Sequence, residues 1–416
     1  MKILHTADWH LGQRFLNQER QIEHELALAE ILQIIENEQV DALILAGDIF
    51  DTANPPNYAL KQYYNFLRQM LKSSCRHIVV IGGNHDSPAT LNAPKELLKF
   101  LDIQVVGCAE RKENGEIWIE KEILELKNKK GEIEAVVAAV PFLRDRDLKY
   151  SISGESQTER IESIKNGIKN HYEDAKNACE SYFKLDIPVL ATGHLFAAGT
   201  TVGGESDEKQ EGEHDIHIGN LGKVEANHFP SEFSYIALGH IHKPQIINNQ
   251  QHIRYSGSII PLSFSERNDK KMVVLLEYEG KNLLQIREVP LIIHRQLKRF
   301  KGSLTDLELS IRNFESQTEL TTWAEVVIEC EPTKRDSEKE KIKEFSEGKN
   351  LEILKIVLQH QITFNKADGE IEADLSELLP QEVFKKKCSM EGKNDAEIAV
   401  LEETFAELLT ILQENE

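Results

Sequence analysis

Apolar runs alternate with amphipathic segments at the start of the chain, and this alternation constrains the fold more than any other sequence feature. Residues 2–7, 41–47 and 77–83 are short and apolar, which predicts buried strands. The two segments between them, residues 21–40 and 57–74, carry apolar side chains at helical spacing. This β-α-β-α-β order predicts parallel strands that are joined by helices, and therefore an α/β fold.

Short apolar segments separated by turn residues continue between residues 117 and 279, and they predict a second sheet. The pattern restarts beyond about residue 290. There, residues 303–314 predict a helix, residues 323–331 predict a strand, and residues 351–360 predict either a strand or a short helix. We expect a smaller α+β domain in this part of the chain.

The end of the chain predicts two amphipathic helices after a polar linker at residues 365–374. The first candidate covers residues 375–389. The second covers residues 395–414, where apolar side chains recur every three or four positions, namely Ile398, Leu401, Phe405, Leu408 and Leu409. Short helices of this kind cannot bury an apolar stripe alone, so they must pack on each other, on the preceding domain or on a partner.

Composition sets the broad class of protein. The 416 residues are 40% hydrophobic, enough for two or three folded domains. The five cysteines are scattered and form no C-x-x-C pair, so we expect free thiols. The net charge of −21 argues against a simple nucleic-acid binder, but more than half of the excess lies in the last quarter of the chain. We see neither a signal peptide nor an apolar run of about 18 residues, and we expect a cytoplasmic protein without a membrane segment.

Five short stretches place possible metal ligands directly after an apolar run. They are "TADWH" (6–10), "AGDIFD" (46–51), "GGNHD" (82–86), "TGHLF" (192–196) and "LGHIH" (238–242). Residues i and i+2 of an extended backbone point the same way, so Asp8 with His10, and His240 with His242, can each present two ligands to one side. Carboxylate, amide and imidazole ligands without thiolates suit manganese, iron or zinc.

Each stretch alone also has an ordinary structural explanation. Asn84 and Asp86 could cap the next helix, and His194 could be a core histidine. The occurrence of all five stretches in order, each at the end of a predicted strand, favours a metal site. His214 and His217 lie in a glycine-rich, charged segment and are interpreted as solvated loop residues, whereas His5 is interpreted as a core or supporting residue.

The five motifs together resemble those of the calcineurin-like metallophosphoesterases. Their flanks, "GDIFDTANPP", "YIALGHIHKPQ" and "YSGSIIPLSFSE", are similar to the SbcD family, the nuclease subunits of bacterial SbcCD complexes. The resemblance implies a four-layer αββα metallophosphoesterase sandwich over residues 1–288. It also implies a smaller α+β capping or DNA-binding domain over residues 289–364 and a C-terminal helical tail over residues 375–416.

The resemblance further implies two divalent metal ions, expected to be Mn²⁺. The first ion would be held by Asp8, His10, Asp48 and His242, and the second by Asp48, Asn84, His194 and His240. Asp48 would bridge them, and His85 would be the catalytic histidine. Asp86 would orient His85 or cap the following helix, and the role of Asp51 is left open because relatives can carry histidine there.

The implied activity is that of a DNA exonuclease and endonuclease acting on ends and hairpins in repair and recombination. Its partner would be SbcC, an SMC-like ATPase bound through the C-terminal helices, within a heterotetramer. A homodimer is also implied, with the apolar residues of 22–35 and 58–71 as candidates for its interface. Two other readings stay open: a phosphatase or cyclic-nucleotide phosphodiesterase with the same site, and a non-catalytic subunit with a decayed site.

Overall fold

The computed structural model describes residues 1–148, 157–197, 224–329 and 335–359, together with Phe384, Cys388, Leu401 and Phe405 near the end of the chain. The glycine-rich segment with His214 and His217 lies outside the described residues. The chain divides into two compact units, Met1–His360 and Gln361–Glu416.

In the described part of the first unit, three sheets have three or more strands each, and helices pack on them. The strands are β1 (Lys2–Thr6), β2 (Arg14–Phe15), β3 (Gln18–Glu19), β4 (Ala42–Ala46), β5 (His77–Ile81), β6 (Ile103–Val106), β7 (Ile123–Lys127), β8 (Ile133–Ala138), β9 (Val189–His194), β10 (Ile236–Gly239), β11 (Gln245–Ile247), β12 (Gln250–Tyr255), β13 (Met272–Glu279), β14 (Asn282–Pro290), β15 (Leu297–Gly302), β16 (Thr322–Glu329) and β17 (Leu351–Gln359), of which β2 and β3 form only a small two-stranded ribbon. The α-helices are α1 (Gln21–Glu38), α2 (Asn57–Met70), α3 (Pro88–Asn92), α4 (Lys95–Lys99), α5 (Asp145–Leu148), α6 (Gln157–Ala178), α7 (Leu304–Arg312) and α8 (Arg335–Phe345).

The first sheet has the strand order β14-β13-β1-β4-β5-β6. Strands β1, β4, β5 and β6 are parallel, and β13 and β14 extend the sheet as antiparallel strands. Helices α1 and α2 connect β1, β4 and β5 in chain order, so the predicted β-α-β-α-β start of the chain is confirmed. These two helices bury one apolar face in the core of this layer, through residues such as Ile31 and Phe66.

The second sheet has the strand order β11-β12-β10-β9-β8-β7. Its four central strands are parallel, and β7 and β11 are antiparallel edges. Helix α6 packs on its outer face through Ile164, Ile168 and Tyr172. A separate buried apolar cluster contains residues of both sheets, among them Ile44 and Leu190, which are completely buried. The predicted α/β fold with two sheets is therefore confirmed, with helices on the outer face of each sheet.

The third sheet, β15-β16-β17, is parallel and packs with α7 and α8 around a small core of its own. The predicted helix begins after Ser303, which forms a capping box with Asp306. The segment at 351–360, for which a strand and a helix were both open, forms strand β17. The domain boundaries at residues 288 and 364 stay predictions, and β14 continues past the first of them to Pro290.

In the second unit, the rings of Phe384 and Phe405 are stacked, with their centroids 4.2 Å apart. These two residues, Cys388 and Leu401 have helical backbone. The other residues of the two predicted tail helices lie outside the described part of the chain. Among the residues that the structure describes, no helix combines the length and the apolar character needed to cross a membrane.

Candidate metal centre

The carboxyl ends of five parallel strands, three from the first sheet and two from the second, converge on one cluster of polar side chains. The cluster contains all seven predicted ligands and the predicted catalytic histidine, namely Asp8 and His10 after β1, Asp48 after β4, Asn84 and His85 after β5, His194 at the end of β9, and His240 and His242 after β10. Because parallel strands present their carboxyl ends at the same edge of a sheet, ligands far apart in sequence meet there.

The candidate ligand atoms form three overlapping groups, each with all of its atoms within 4.8 Å of one another. The groups are Asp8–His10–His242, His10–Asp48–His85 and Asp48–His194–His240. Asn84 joins the third group, because its Oδ1 lies 2.9 Å from Nε2 of His194 and 3.0 Å from Nδ1 of His240.

Asp48 belongs to two of these groups, the one with His10 and His85 and the one with His194 and His240. Its Oδ2 is 3.2 Å from Nε2 of His194 and 3.5 Å from Nε2 of His10. Its Oδ1 accepts a hydrogen bond from the backbone N–H of His85 at 3.0 Å. A single carboxylate in this position can contribute to two cation sites at once.

Four of the cluster residues have a left-handed backbone, which is uncommon for residues other than glycine. The φ angles are 52° at Asp8, 46° at His10, 49° at Asp48 and 99° at His240. Cross-strand hydrogen bonds hold these turns: Asp8 N–H donates to the carbonyl of Gly47 at 3.0 Å, and His240 N–H donates to Oδ1 of Asp8 at 2.8 Å. Strained backbone at a cluster of polar side chains is typical of functional sites.

Gly83 shows why the β5 strand ends in two glycines. A Cβ at this position would lie 2.1 Å from Oδ1 of Asp48, so any side chain would displace the central carboxylate. Gly47 has the same role against His194, because its Cβ would lie 2.2 Å from Nδ1 of that histidine. The backbone of the Gly-Gly turn therefore lies directly against the central carboxylate.

The carboxylates of the buried cluster favour positive charge on the side chains beside them. Burial opposes the charged form of His10, yet its hydrogen bond to Asp51 and the charge of Asp48 raise the pKa of His10 to about 9. Burial is likewise outweighed at His194, where Asp48 raises the imidazole pKa to about 9. At Asp48 itself, the two histidines outweigh burial and lower the carboxyl pKa well below its usual value. Asp48 is therefore ionised and neutralised by neighbouring positive charge.

Two observations indicate that divalent metal ions fit this cluster. Oδ2 of Asp8 and Nε2 of His10 are buried and have no hydrogen-bond partner among the described residues, an arrangement that is costly unless a ligand completes it. The donors are oxygens and imidazole nitrogens without a thiolate, a set that suits manganese, iron or zinc.

His85 lies at the edge of the cluster and is partly exposed. Its Nδ1 donates a hydrogen bond to the carbonyl oxygen of Asp51 at 2.8 Å, which places a hydrogen on Nδ1 and leaves Nε2 for another contact. Its ring meets the ring of His10 edge to face, with centroids 4.9 Å apart.

Two carboxylates that sequence reasoning did not assign support the predicted histidine ligands. Oδ1 of Asp51 lies 3.1 Å from Nδ1 of His10, and Oε1 of Glu266 lies 3.1 Å from Nδ1 of His242. Metal-binding histidines usually donate their second ring N–H to such a group, which fixes the tautomer and the ring orientation. Glu266 ends the quoted stretch "YSGSIIPLSFSE", but nothing in its local sequence pairs it with His242.

The predicted roles of Asp86, to orient His85 or to cap the following helix, are wrong. Its buried carboxylate accepts hydrogen bonds from the backbone N–H groups of Ile49, Phe50 and Gly83, at 3.2, 3.0 and 2.9 Å. The helix α3 is capped instead by Ser87, whose side chain accepts from the N–H of Thr90. Asp86 therefore connects the turn after β4 to the turn after β5.

His5 is a core residue, fully buried, with Nδ1 3.0 Å from the hydroxyl of Tyr235.

This fold and this cluster define a metal-dependent phosphoesterase. The calcineurin-like phosphoesterase family matches residues 1–244, and a family described as the type 5 capsule protein repressor C-terminal domain matches residues 294–391. The chain belongs to the calcineurin-like phosphoesterases and, within them, to the SbcD family of nucleases.

The relatives that place it there are curated proteins named as the SbcD component of the SbcCD nuclease. The protein from Escherichia coli (strain K12) is 34% identical over 417 residues, which cover 99% of this chain and 98% of the relative. The protein from Rhodobacter capsulatus is 35% identical over 67% of each chain. The protein from Bacillus subtilis (strain 168) is 33% identical over 73% of each chain.

Proposed function

We propose that this chain is the nuclease subunit of an SbcCD complex and hydrolyses phosphodiester bonds of DNA with two Mn²⁺ ions. One observation carries the proposal: the seven predicted ligands come from five strands of two sheets and meet around the shared carboxylate of Asp48. The similarity to SbcD nucleases along almost the whole chain supports the choice of DNA over a smaller phosphate ester.

The ligands divide into two sets around Asp48. Asp8, His10 and His242 would hold the first ion with Asp48, and Asn84, His194 and His240 would hold the second. When bound, two such ions clamp a phosphodiester, lower the pKa of a bound water and stabilise both the attacking and the leaving oxygen. The distances among these donors support the division, because Asp8 groups with His242, and Asn84 with His194 and His240.

His85 would contact the substrate and would not have a structural role. Its hydrogen bond to the Asp51 carbonyl holds the ring by Nδ1, so that Nε2 can contact the scissile phosphate or, when protonated, donate a proton to the leaving oxygen. The partial exposure of His85 at the edge of the buried cluster suits a group that must meet a substrate.

The partner proposals rest on other surfaces. The two C-terminal helices would bind SbcC, an SMC-like ATPase, in the cytoplasm where DNA and ATP are found. For the homodimer, most apolar residues of α1 and α2 are buried in the core, and the large apolar side chains that stay exposed there are Ile22, Leu26 and Tyr64, at 53%, 38% and 38%. Around α4, by contrast, Leu97, Phe100 and Leu101 are 68%, 88% and 41% exposed. An apolar patch of this kind marks an interaction site, so it is the better candidate for the dimer contact.

A nuclease assay with Mn²⁺ on linear, hairpin and circular DNA, with and without the partner ATPase, tests the proposal. We expect exonuclease cleavage of linear ends and endonuclease cleavage of hairpins, and no cleavage by the matched variant Asp48→Ala. Hydrolysis of phosphomonoesters or cyclic nucleotides without any cleavage of DNA would assign the chain to another substrate class of the same family.

A further inference from the structure

An apolar junction joins the third sheet to the phosphoesterase layers in the first unit. Phe15, Phe264, Leu297 and Trp323 form one buried cluster. The ring of Phe15 stacks on Trp323 with centroids 5.6 Å apart and planes 12° apart, and it meets the ring of Phe264 edge to face at 4.9 Å. Trp323 belongs to β16, so this strand of the third sheet contacts the loop that carries Phe264 through one aromatic ring.

A buried ionic group surrounds the same junction. Oε1 of Glu23 accepts hydrogen bonds from Nε of Arg20 at 2.7 Å and from Nε of Arg295 at 2.8 Å. The Arg295 guanidinium lies 4.0 Å from the ring centroid of Trp323. Removal of one partner from a buried pair leaves an uncompensated charge, so this group resists sliding at the junction.

The same loop ends at the metal centre. Residues Phe264–Glu266 form a single 3-10 turn, so the junction residue Phe264 is two positions from Glu266. Oε1 of Glu266 faces Nδ1 of His242 at 3.1 Å. Its Oε2 is held by the ammonium of the buried Lys271, by the hydroxyl of Ser258 and by the N–H of Leu262. Contacts to both oxygens therefore restrict the side-chain conformation of Glu266.

A second path joins the ionic group to this loop. Arg20 donates a hydrogen bond to the carbonyl of Pro261 at 2.9 Å, and Nε2 of Gln13 donates to the carbonyl of Leu262 at 2.9 Å. The loop before Glu266 is thus fixed from the junction side, whereas the side chain of His242 is 32% exposed and has Glu266 at its Nδ1.

We infer that Glu266 is a positioning residue for His242, and that the third sheet, through Trp323 and the turn Phe264–Glu266, sets the affinity of the first metal site. This inference rests on the proposed assignment of His242 as a metal ligand. It makes the metal centre sensitive to a residue of β16 that contacts none of its ligands. A partner or substrate that shifts β16 would change metal binding by the same route.

Mn²⁺ binding to the metal-free, full-length protein, measured by equilibrium dialysis without DNA, tests this route. We expect Glu266→Gln to weaken the affinity for one of two ions by about 10- to 100-fold, as for other residues that hold a ligand, and to leave the other ion unaffected. Trp323→Leu should weaken the affinity for the same ion. Trp323→Phe keeps a stacking ring, so its affinity for this ion should be close to that of the unaltered protein.

Phe345→Leu is the matched control, because Phe345 is buried in the core of the third sheet and does not belong to the junction. Thermal unfolding of each variant gives the loss of stability separately from the loss of metal. Equal Mn²⁺ affinities for Trp323→Leu and Phe345→Leu, or an unchanged affinity for Glu266→Gln, would overturn the inference. Failure of the proposed function would look different: the unaltered protein would bind Mn²⁺ and cleave no DNA.

Discussion

The carbonyl oxygen of Asp51 accepts a hydrogen bond from Nδ1 of His85 at 2.8 Å, while its carboxylate lies 3.1 Å from Nδ1 of His10. One residue therefore supports a proposed ligand through its side chain and the proposed catalytic histidine through its backbone. A substitution at Asp51 removes the first contact and keeps the second, so the two roles can be separated.

We expect Asp51→Ala to weaken Mn²⁺ binding by about 10- to 100-fold, because His10 loses the carboxylate that orients its ring. The rate of cleavage at saturating Mn²⁺ should stay close to that of the unaltered protein, since the backbone carbonyl still holds His85. Titration of Mn²⁺ into a nuclease assay measures both quantities. The exposed neighbour gives the control Thr52→Ala, and a large loss of the saturated rate in Asp51→Ala would show that the side chain also serves His85.

For His85→Gln the opposite pattern is expected. Both ions and DNA should still bind, and cleavage should fall by about 10²- to 10⁴-fold, the range that general acids and bases supply. Metal content by elemental analysis and single-turnover cleavage rates give the two readouts. Because His85 also lies within 4.8 Å of His10 and Asp48, loss of an ion from this variant would make it a ligand instead.

Asp48→Ala should abolish both metal binding and hydrolysis, because the two proposed ligand sets share this carboxylate. Anomalous scattering from crystals grown with Mn²⁺ counts the ions directly. Two fully occupied sites in the variant would refute the bridging role. Asp86→Asn is a useful comparison, since Asp86 is also buried but is bound by three backbone N–H groups.

The stability of the protein should fall in mild acid partly because of His5. Burial lowers the pKa of His5 to about 3, whereas an unfolded histidine titrates near 6.5. The unfolded state therefore binds the proton more readily, and the stabilisation is present above about pH 6.5 and is lost as the pH falls towards 3. Between about pH 7 and pH 5, His5 should account for a loss of about 2 kcal/mol in the free energy of unfolding. The free energy of unfolding of His5→Gln, measured with urea, should depend less steeply on pH than that of the unaltered protein. An equal pH dependence in the two proteins would contradict the assignment.

A chain that ends near residue 370 should keep its fold and its Mn²⁺-dependent hydrolysis of small phosphodiesters, since the first compact unit ends at His360. It should lose co-purification with SbcC and stimulation by ATP, because the proposed partner helices are gone. Phe405→Ala in the full chain, which removes the stacked ring pair with Phe384, should weaken the same binding. Unchanged affinity for the ATPase, or unfolding of the shortened chain, would show that the tail has a different role.

The sequence predicts which polar side chains come together in the cluster, because each part of the pattern is local. A short buried run followed within a few residues by Asp, Asn or His places the donor near the end of a strand, and the order of strands and helices then brings these ends together. The close approach at Gly83 is predicted for the same reason, since a Gly-Gly pair after a strand indicates that the backbone has no room for a side chain.

What the sequence does not predict depends on contacts between distant segments. Glu266 and Lys271 are ordinary charged loop residues until the fold places them under His242. Asp86 has the position of a helix cap, yet its carboxylate accepts hydrogen bonds from two N–H groups of the turn after β4 and from one N–H group of its own turn. Helix α6 was not predicted, because its buried residues Ile164, Ile168 and Tyr172 are spread among many charged ones.

The left-handed backbone at Asp8, His10, Asp48 and His240 lowers the stability of the fold at positions whose side chains are proposed to be needed for hydrolysis. Glycine adopts this conformation without a steric penalty. Replacement of any of the four residues by glycine would therefore relieve strain, and it would also remove a side chain of the candidate metal centre. A screen of this chain for heat resistance or expression alone would therefore tend to enrich variants that have lost the centre. Only selection for the activity itself keeps side chains at positions where the backbone favours glycine.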